Sequence, residues 1–305
     1  MKKKILILGG SGFIGRHLAE FLINKGWNVT VTTFSKKKIF FDKKIKIVNL
    51  DLVDLKKVKK FIRNNFFEYI VNLAGYIDHS SFYKKKNFAL ESHFYGVVNL
   101  LKYLDKSNFK KFIQIGSSDE YGNLPAPQKE NMREMPISLY SFSKLALTNF
   151  LQMLHRTENF PVIILRIFLA YGPGQDNNRF IPNVINGCIK KKNFNTSQGN
   201  QFRDFCYIDD VIMAIYMSLI STKNNGEIFN VGSGKPTKLK SLINKIVVCL
   251  KSGTPMFGKI KYRKNENMFL YPDISKIKKK LKWKAEIDIS KGLKKTIHYY
   301  KNNNA

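Results

Sequence analysis

Short apolar runs alternate with helix-length amphipathic segments through the first 168 residues of the chain. Lys4 to Leu8 reads as a strand, Phe13 to Lys25 as a helix and Asn28 to Thr32 as a second strand. The alternation goes on with strands at Ile45 to Val48, Tyr69 to Leu73, Phe112 to Ile115 and Val162 to Phe168. Helices are predicted between them at Leu55 to Asn64, Ala89 to Leu104 and Tyr140 to His155. Strands joined by helix-length crossovers make a parallel sheet with helices on both faces, so the expected fold class is α/β and doubly wound.

The rhythm breaks from Ala170 onward. YGPGQDNNR is rich in turn formers, Phe180 to Lys190 looks helical, and Ile228 to Val231 reads as a strand that rejoins the sheet. The tail from Met256 mixes short strands and helices. Residues 1–169 are therefore expected to form a nucleotide-binding domain and 170–305 a smaller, interleaved substrate-binding lobe. The cleft is expected at the carboxyl ends of the strands.

Composition narrows the function. At 305 residues, with 44% hydrophobic and 13% aromatic content, the chain can bury a full core. Its net charge is +31, yet only eight of the 53 basic residues are arginine. The lysines come in short scattered runs, whereas a nucleic-acid site concentrates charge on one face with arginine and exposed aromatics. No nucleic-acid partner is expected, although a basic surface would attract a diphosphate-bearing substrate. Cys188, Cys206 and Cys249 are odd in number, far apart and in no ligand spacing, which fits a reducing cytoplasm and no metal. MKKKILIL mimics a signal peptide, but Gly9, Gly10 and Gly12 interrupt the apolar run and no stretch reaches membrane-spanning length. A soluble cytoplasmic protein with no membrane partner is expected.

GGSGFIG, Gly9 to Gly15, sits between the first strand and the first helix. Glycines in that setting make a tight turn, admit a pyrophosphate close to backbone and let helix pack on strand, which predicts dinucleotide binding. An NAD site places Asp or Glu at the end of the second strand; here stands Thr33, followed by Ser35 and Lys36. Ser35 and Lys36 are candidates to bind a 2′-phosphate, so NADP (as NADPH) is favoured and NAD remains possible. Tyr140 and Lys144 are four apart, on one helix face. A cation beside a phenol favours the phenolate and makes the tyrosine a usable acid/base.

GGSGFIG, Asp51-Leu52, NLAG at 72–75, the strand end GSSDEYG and Tyr140-xxx-Lys144 together resemble the extended short-chain dehydrogenase/reductase family, whose core is a Rossmann sheet. AYGPGQDNNRFIP, RDFCYIDDV and YRKNENMFLYPDISKIKKKLKW resemble its nucleotide-sugar epimerase/dehydratase branch, and the second half is most similar to 4-keto sugar reductases of the CDP-abequose synthase type. The resemblance implies that Ser117 hydrogen-bonds the reacting oxygen, Tyr140 is the acid/base, and Lys144 binds the nicotinamide ribose while tuning Tyr140. It places Gly9, Ser11, Gly12, Phe13, Ile14, Gly15, Asp51, Leu52, Leu73, Ala74 and Gly75 around the dinucleotide. Arg203 and Arg263 match arginines that hold the substrate diphosphate, a task suited to a guanidinium. Arg179, Ser118, Asp119 and His79 are further substrate-binding candidates. A homodimer through helices 89–104 and 140–155 is also implied.

The chain departs from the family at telling places. Sugar 4,6-dehydratases follow the catalytic Ser/Thr with an acid and a Glu; here Ser118 and Asp119 stand in that register, and Glu120 should point to the opposite side. His93 stands where relatives often have Asn, and Leu169 where many epimerases have Asn. Asp78 and His79 are expected at the cleft mouth. The activity expected is NAD(P)H-dependent reduction at C4 of a nucleotide-linked 4-keto-6-deoxyhexose, in surface-polysaccharide sugar synthesis. The alternatives are a 4-epimerase with bound NAD, a 4,6-dehydratase and, in another class, a non-catalytic RNA-binding Rossmann protein.

Overall fold

The computed structural model describes residues 2–34, 41–77, 83, 88–263 and 266–303 of the chain. The first elements are β1 (Lys4–Leu8), α1 (Phe13–Asn24), β2 (Asn28–Thr33), β3 (Lys46–Asn49), α2 (Leu55–Arg63) and β4 (Tyr69–Asn72). A π-helical turn (Glu91–Tyr95) leads into α3 (Gly96–Leu101), then β5 (Lys111–Ser117), a 3-10 turn (Ser118–Tyr121), α4 (Leu139–Glu158) and β6 (Val162–Ile167). After these come β7 (Leu169–Tyr171), α5 (Phe180–Ile189), β8 (Asn193–Asn195), β9 (Phe202–Tyr207), α6 (Ile208–Ile220), β10 (Ile228–Val231) and β11 (Pro236–Lys238). The tail holds α7 (Leu239–Leu250), β12 (Thr254–Met256), β13 (Phe269–Leu270), α8 (Ser275–Leu281) and α9 (Ile289–Asn303).

The central sheet has the order β10-β6-β5-β4-β1-β2-β3. Its β1–β2, β2–β3, β1–β4 and β4–β5 pairs are parallel, as a doubly wound sheet requires. The strand expected at 228–231 does join it, beside β6. The apolar runs are continuous because these strands are covered on both faces: Ile5–Leu8, Ile70, Val71, Phe112, Ile113 and 162–165 are fully buried. Val58 and Ile62 of α2, Val97 and Leu100 of α3, and Leu147 and Leu151 of α4 close one face as a single cluster with Leu6, Ile70 and Phe112. Each such side chain contributes about 1.5–3 kcal/mol of burial. The chain winds outward from β1 to β3, then returns to β4 on the other side of β1. Ligands of such sheets bind at the carboxyl ends of the strands where that order reverses.

One prediction needs correction. The helix expected over 89–104 is π-helical at Glu91–Tyr95, and its α-helical part ends at Leu101. A π turn inserts one residue into an otherwise helical spacing, so the apolar pattern gives no warning of it.

The chain divides into two compact units. The first comprises 1–122, 133–166 and 212–229; the second comprises 123–132, 167–211 and 230–305. In the second unit β9 pairs with β7, β11 and β13. There the Asp210 carboxylate accepts the backbone N–H groups of Glu286 and Ile287, each at 3.0 Å, which ties the tail to the start of α6.

Candidate active site

The turn after β1 is closed by Gly12 N–H donating to Gly9 O (3.0 Å). Gly9 sits at φ +69°, and a Cβ there would lie 2.8 Å from Ala74 Cα, so the first turn and the 73–75 segment touch backbone to backbone. A Cβ on Gly15 would lie 2.6 Å from Gly10 Cα, which brings the start of α1 hard against the turn. Gly12 is the N-cap of α1, with no side-chain cap and no acid in the first turn. A helix start left open in this way presents N–H donors and a positive dipole end to an anion. A dinucleotide pyrophosphate fits these residues. Ser11 lies in the same turn, and Phe13 and Ile14 open α1.

The other nucleotide candidates lie at neighbouring strand ends. Leu73 N–H bonds Leu8 O (3.0 Å), and Asn72 Oδ1 accepts Ala74 N–H (3.1 Å), so side chain and sheet together shape the 72–75 loop. Asp51 uses Oδ1 to accept Val53 N–H (3.0 Å), while Leu52 is buried against Gly96. Thr33 ends β2 and is buried. Ser35 and Lys36, and likewise Asp78 and His79, lie outside the described residues.

Ser117 ends β5 and caps the 3-10 turn, its Oγ accepting Asp119 N–H at 3.1 Å. A hydroxyl that accepts there still has its own proton to donate. Ser118 is buried and Asp119 half-buried. The Glu120 carboxylate is fully buried and receives Ser117 N–H (2.8 Å), Thr148 Oγ1 (3.0 Å) and Arg166 Nε (2.9 Å).

Tyr140 and Lys144 occupy the first turns of α4, which Ser138 starts with a capping box. Lys144 Nζ donates to Ile115 O (2.9 Å), two residues before Ser117, so the ammonium pins the helix to the end of β5. Burial pulls Lys144 down to about 8, partly offset by the Glu120 carboxylate. Tyr140 is buried, and its ring packs edge-to-face on His93 with centroids 5.2 Å apart. His93, in the π turn, is an unforeseen member of this group. Its Nε2 lies 2.7 Å from Tyr76 O, an acceptor, so Nε2 carries the proton and buried Nδ1 is bare. Burial, then the charge of Lys144, lowers the imidazole to about 3, so it is neutral at working pH. Gly75, at φ +113°, lies against it, since a Cβ there would come within 2.0 Å of His93 Cε1. The sequence marks His93 only as an unusual residue three before a glycine; its contact with Tyr140 spans 47 positions.

A pH dependence follows. Lys144 has a folded value below its unfolded one, so its charge opposes folding below pH 8, and its contribution to stability rises from about pH 8 to 10.5. Function runs the other way, because the ammonium that supports the Tyr140 phenolate is lost over the same range. Turnover is expected to fall above about pH 8, read from a pH–rate profile. A profile flat to pH 10 would show that Lys144 keeps its proton or is not needed.

The arginine candidates lie in the second unit. Arg203, in β9, is buried, with Nη1 on Phe202 O (2.9 Å) and Nη2 on Glu266 Oε1 (2.5 Å). Glu266 N–H in turn bonds Arg263 O (3.1 Å), and the Arg263 side chain is exposed. Arg179 is the exposed N-cap of α5. Among the described residues no group of His, Cys, Asp or Glu could hold a metal, and no helix is long and apolar enough to cross a membrane.

The model of the NAD dependent epimerase/dehydratase family matches residues 5–232. A Methanocaldococcus jannaschii protein provisionally named UDP-glucose 4-epimerase is 31% identical, over 98% of this chain and 99% of its own length. The UDP-glucuronate 4-epimerase of Thermodesulfobacterium geofontis is 27% identical, over 98% of this chain and 96% of its own. The crystal structure of Bacillus cereus UDP-glucuronic acid 4-epimerase with UDP-glucuronic acid and NAD superposes with a TM-score of 0.88 at 25% identity, over 99% and 100% of the two chains. The family match spans well over half of the chain, so the chain belongs to the NAD-dependent epimerase/dehydratase family and is an enzyme.

Proposed function

We propose that the chain moves a proton and a pair of electrons at C4 of a nucleoside-diphosphate sugar. Tyr140 is the acid/base, Ser117 donates a hydrogen bond to the reacting oxygen, and Lys144 favours the phenolate. The observation that carries this is the buried Lys144 ammonium, one helical turn from Tyr140 and bonded to Ile115 O just before Ser117. The glycine turn, Asp51, Leu52 and the 73–75 loop hold the dinucleotide, which when bound supplies or takes up two electrons at C4. Residues 170–305, with Arg179, Arg203 and Arg263, hold the nucleotide sugar, helped by Ser118, Asp119 and His79.

Two relatives named as 4-epimerases, and the UDP-glucuronic acid 4-epimerase structure that contains NAD, support a 4-epimerase, in which NAD would stay with the protein. A second reading has one observation in its favour: β2 ends in Thr33 with no carboxylate for a ribose 2′-hydroxyl. That reading is an NADPH-dependent reductase of a 4-keto-6-deoxyhexose, of the CDP-abequose synthase type, serving surface-polysaccharide synthesis in the cytoplasm. A 4,6-dehydratase has less support, because Glu120 is bonded to Arg166, Thr148 and Ser117 N–H. A homodimer through helices 89–104 and 140–155 is part of the proposal; Tyr95 of the π turn and Phe142 and Met153 of α4 are exposed.

The test is mass spectrometry of nucleotide released from freshly purified protein, together with an assay of UDP-glucose for its C4 epimer. About one NAD per chain, with epimer formed and no reductant added, is the expected result. An empty protein that consumes NADPH with a 4-keto sugar would replace the epimerase with the reductase. Absence of any C4 chemistry would sink both.

A further inference from the structure

We propose that Glu120 is the positioning residue of this site: one buried carboxylate that fixes Ser117 through its backbone, tethers α4 one turn beyond Lys144 and keeps negative charge near the ammonium. The inference rests on the reading of Ser117, Tyr140 and Lys144 as the reacting set.

Three elements converge on Glu120. Oε1 accepts Ser117 N–H at the end of β5 (2.8 Å). Oε2 accepts Thr148 Oγ1 from α4 (3.0 Å) and Arg166 Nε from β6 (2.9 Å). Thr148 follows Lys144 by four residues, so the tether acts on the face of α4 that carries Tyr140 and Lys144. Arg166 is held in turn: its Nη2 donates to Glu134, and its guanidinium stacks 4.7 Å from the centre of the Tyr121 ring. Burial opposes the guanidinium charge, but Glu120, Tyr121 and Glu134 outweigh it and raise Arg166 above its ordinary value. Space is reserved for the carboxylate, since a Cβ on Gly116 would lie 2.5 Å from Oε1.

Such an arrangement is poorly explained by stability alone. A buried ion pair is often no better for folding than well-packed apolar residues of the same volume. What it does supply is charge and register. Ile115 O from β5 accepts from Lys144, His93 of the π turn and Glu120 of the 3-10 turn interact with its charge, and Tyr140 stands one turn before it on α4. His93 is neutral at working pH, and Lys144 itself depresses it. Glu120 is the group that raises the lysine against the effect of burial. Without that carboxylate the ammonium would be lost at lower pH, and with it the support of the phenolate.

The experiment reads Lys144 directly in the full chain, by the ¹⁵Nζ chemical shift of labelled lysine as a function of pH, with the signal assigned by its loss in Lys144→Met. Lys111, also pulled to about 8 by burial but located at the amino end of β5, is the internal control. In Glu120→Gln the Lys144 titration is expected to move down by about one unit while Lys111 stays. The alkaline limb of turnover should move with it, and kcat should fall about tenfold or more with KM within about threefold. Thr148→Val removes the tether but keeps the charge, and should lower kcat with the Lys144 titration unmoved. If Glu120→Gln alone leaves Arg166 too destabilising to fold, the substitution is made in an Arg166→Met background and read against Arg166→Met alone, so that loss of the guanidinium is common to both. A Lys144 titration that Glu120→Gln leaves unchanged, in the wild-type or the Arg166→Met background, overturns the proposal. A titration that moves in a protein inactive on every nucleotide sugar would leave it standing and overturn the proposed function instead.

Discussion

Tyr140→Phe is expected to lower kcat by a factor of about 10² to 10⁴ while nicotinamide-nucleotide affinity stays within about twofold. The change deletes one oxygen and keeps the ring, so the edge-to-face contact with His93 survives and no large cavity opens. The bond from Lys144 to Ile115 O does not involve the phenol and also survives. What is lost is the proton carried to or from the sugar oxygen. The measurement is steady-state turnover beside a nucleotide titration on the same preparation. If more than about a tenth of the wild-type kcat remains, the proton comes from elsewhere, a bound water or Asp119.

Thr33→Asp is expected to weaken NADPH binding by about one to two decades and to leave NADH binding equal or stronger. A carboxylate at the end of β2 accepts from a ribose 2′-hydroxyl but repels a 2′-phosphate, and one charge-assisted contact is worth about 1.5–3 kcal/mol. Thr33 is the last residue of β2, buried, and its carbonyl accepts Leu50 N–H (3.1 Å), so the backbone there is fixed by the sheet. The comparison is four titrations on nucleotide-stripped protein, each cofactor against wild type and variant. An unchanged NADPH affinity in the variant would mean that the ribose does not lie at the end of β2. The outcome bears on both proposed activities, because either one must place the adenosine ribose there.

The sheet was legible because its strands are covered on both faces, which turns each into an unbroken apolar run such as ILIL or VIIL. The π turn was not, because one extra residue between Ala89 and Val97 leaves the apolar spacing of a helix almost intact. Ser117, Tyr140 and Lys144 could be picked out from their place at a strand end and a helix start. Glu120 could be set apart from the catalytic candidates by its place in the register after Ser117. Its partners were not legible: Arg166 lies in the middle of the apolar run VIILRI, and Thr148 looks like an ordinary helix residue. Their meeting is set by the sheet order and α4 packing, with Arg166 and Glu120 46 residues apart in the chain.

The glycines of the site differ in what blocks them, and that decides how the chain can drift. At Gly15 the obstacle is the backbone of Gly10, with Cα, O and C all within 2.8 Å of a would-be Cβ. No second substitution can trim a main chain, so a methyl acquired at Gly15 has no local suppressor and its lineage recovers only by reversion. At Gly75 the obstacle is the His93 ring. There a smaller residue at 93 could make room, leaving the positive φ as the remaining penalty. A population of related chains should therefore hold position 15 fixed while positions 75 and 93 vary together.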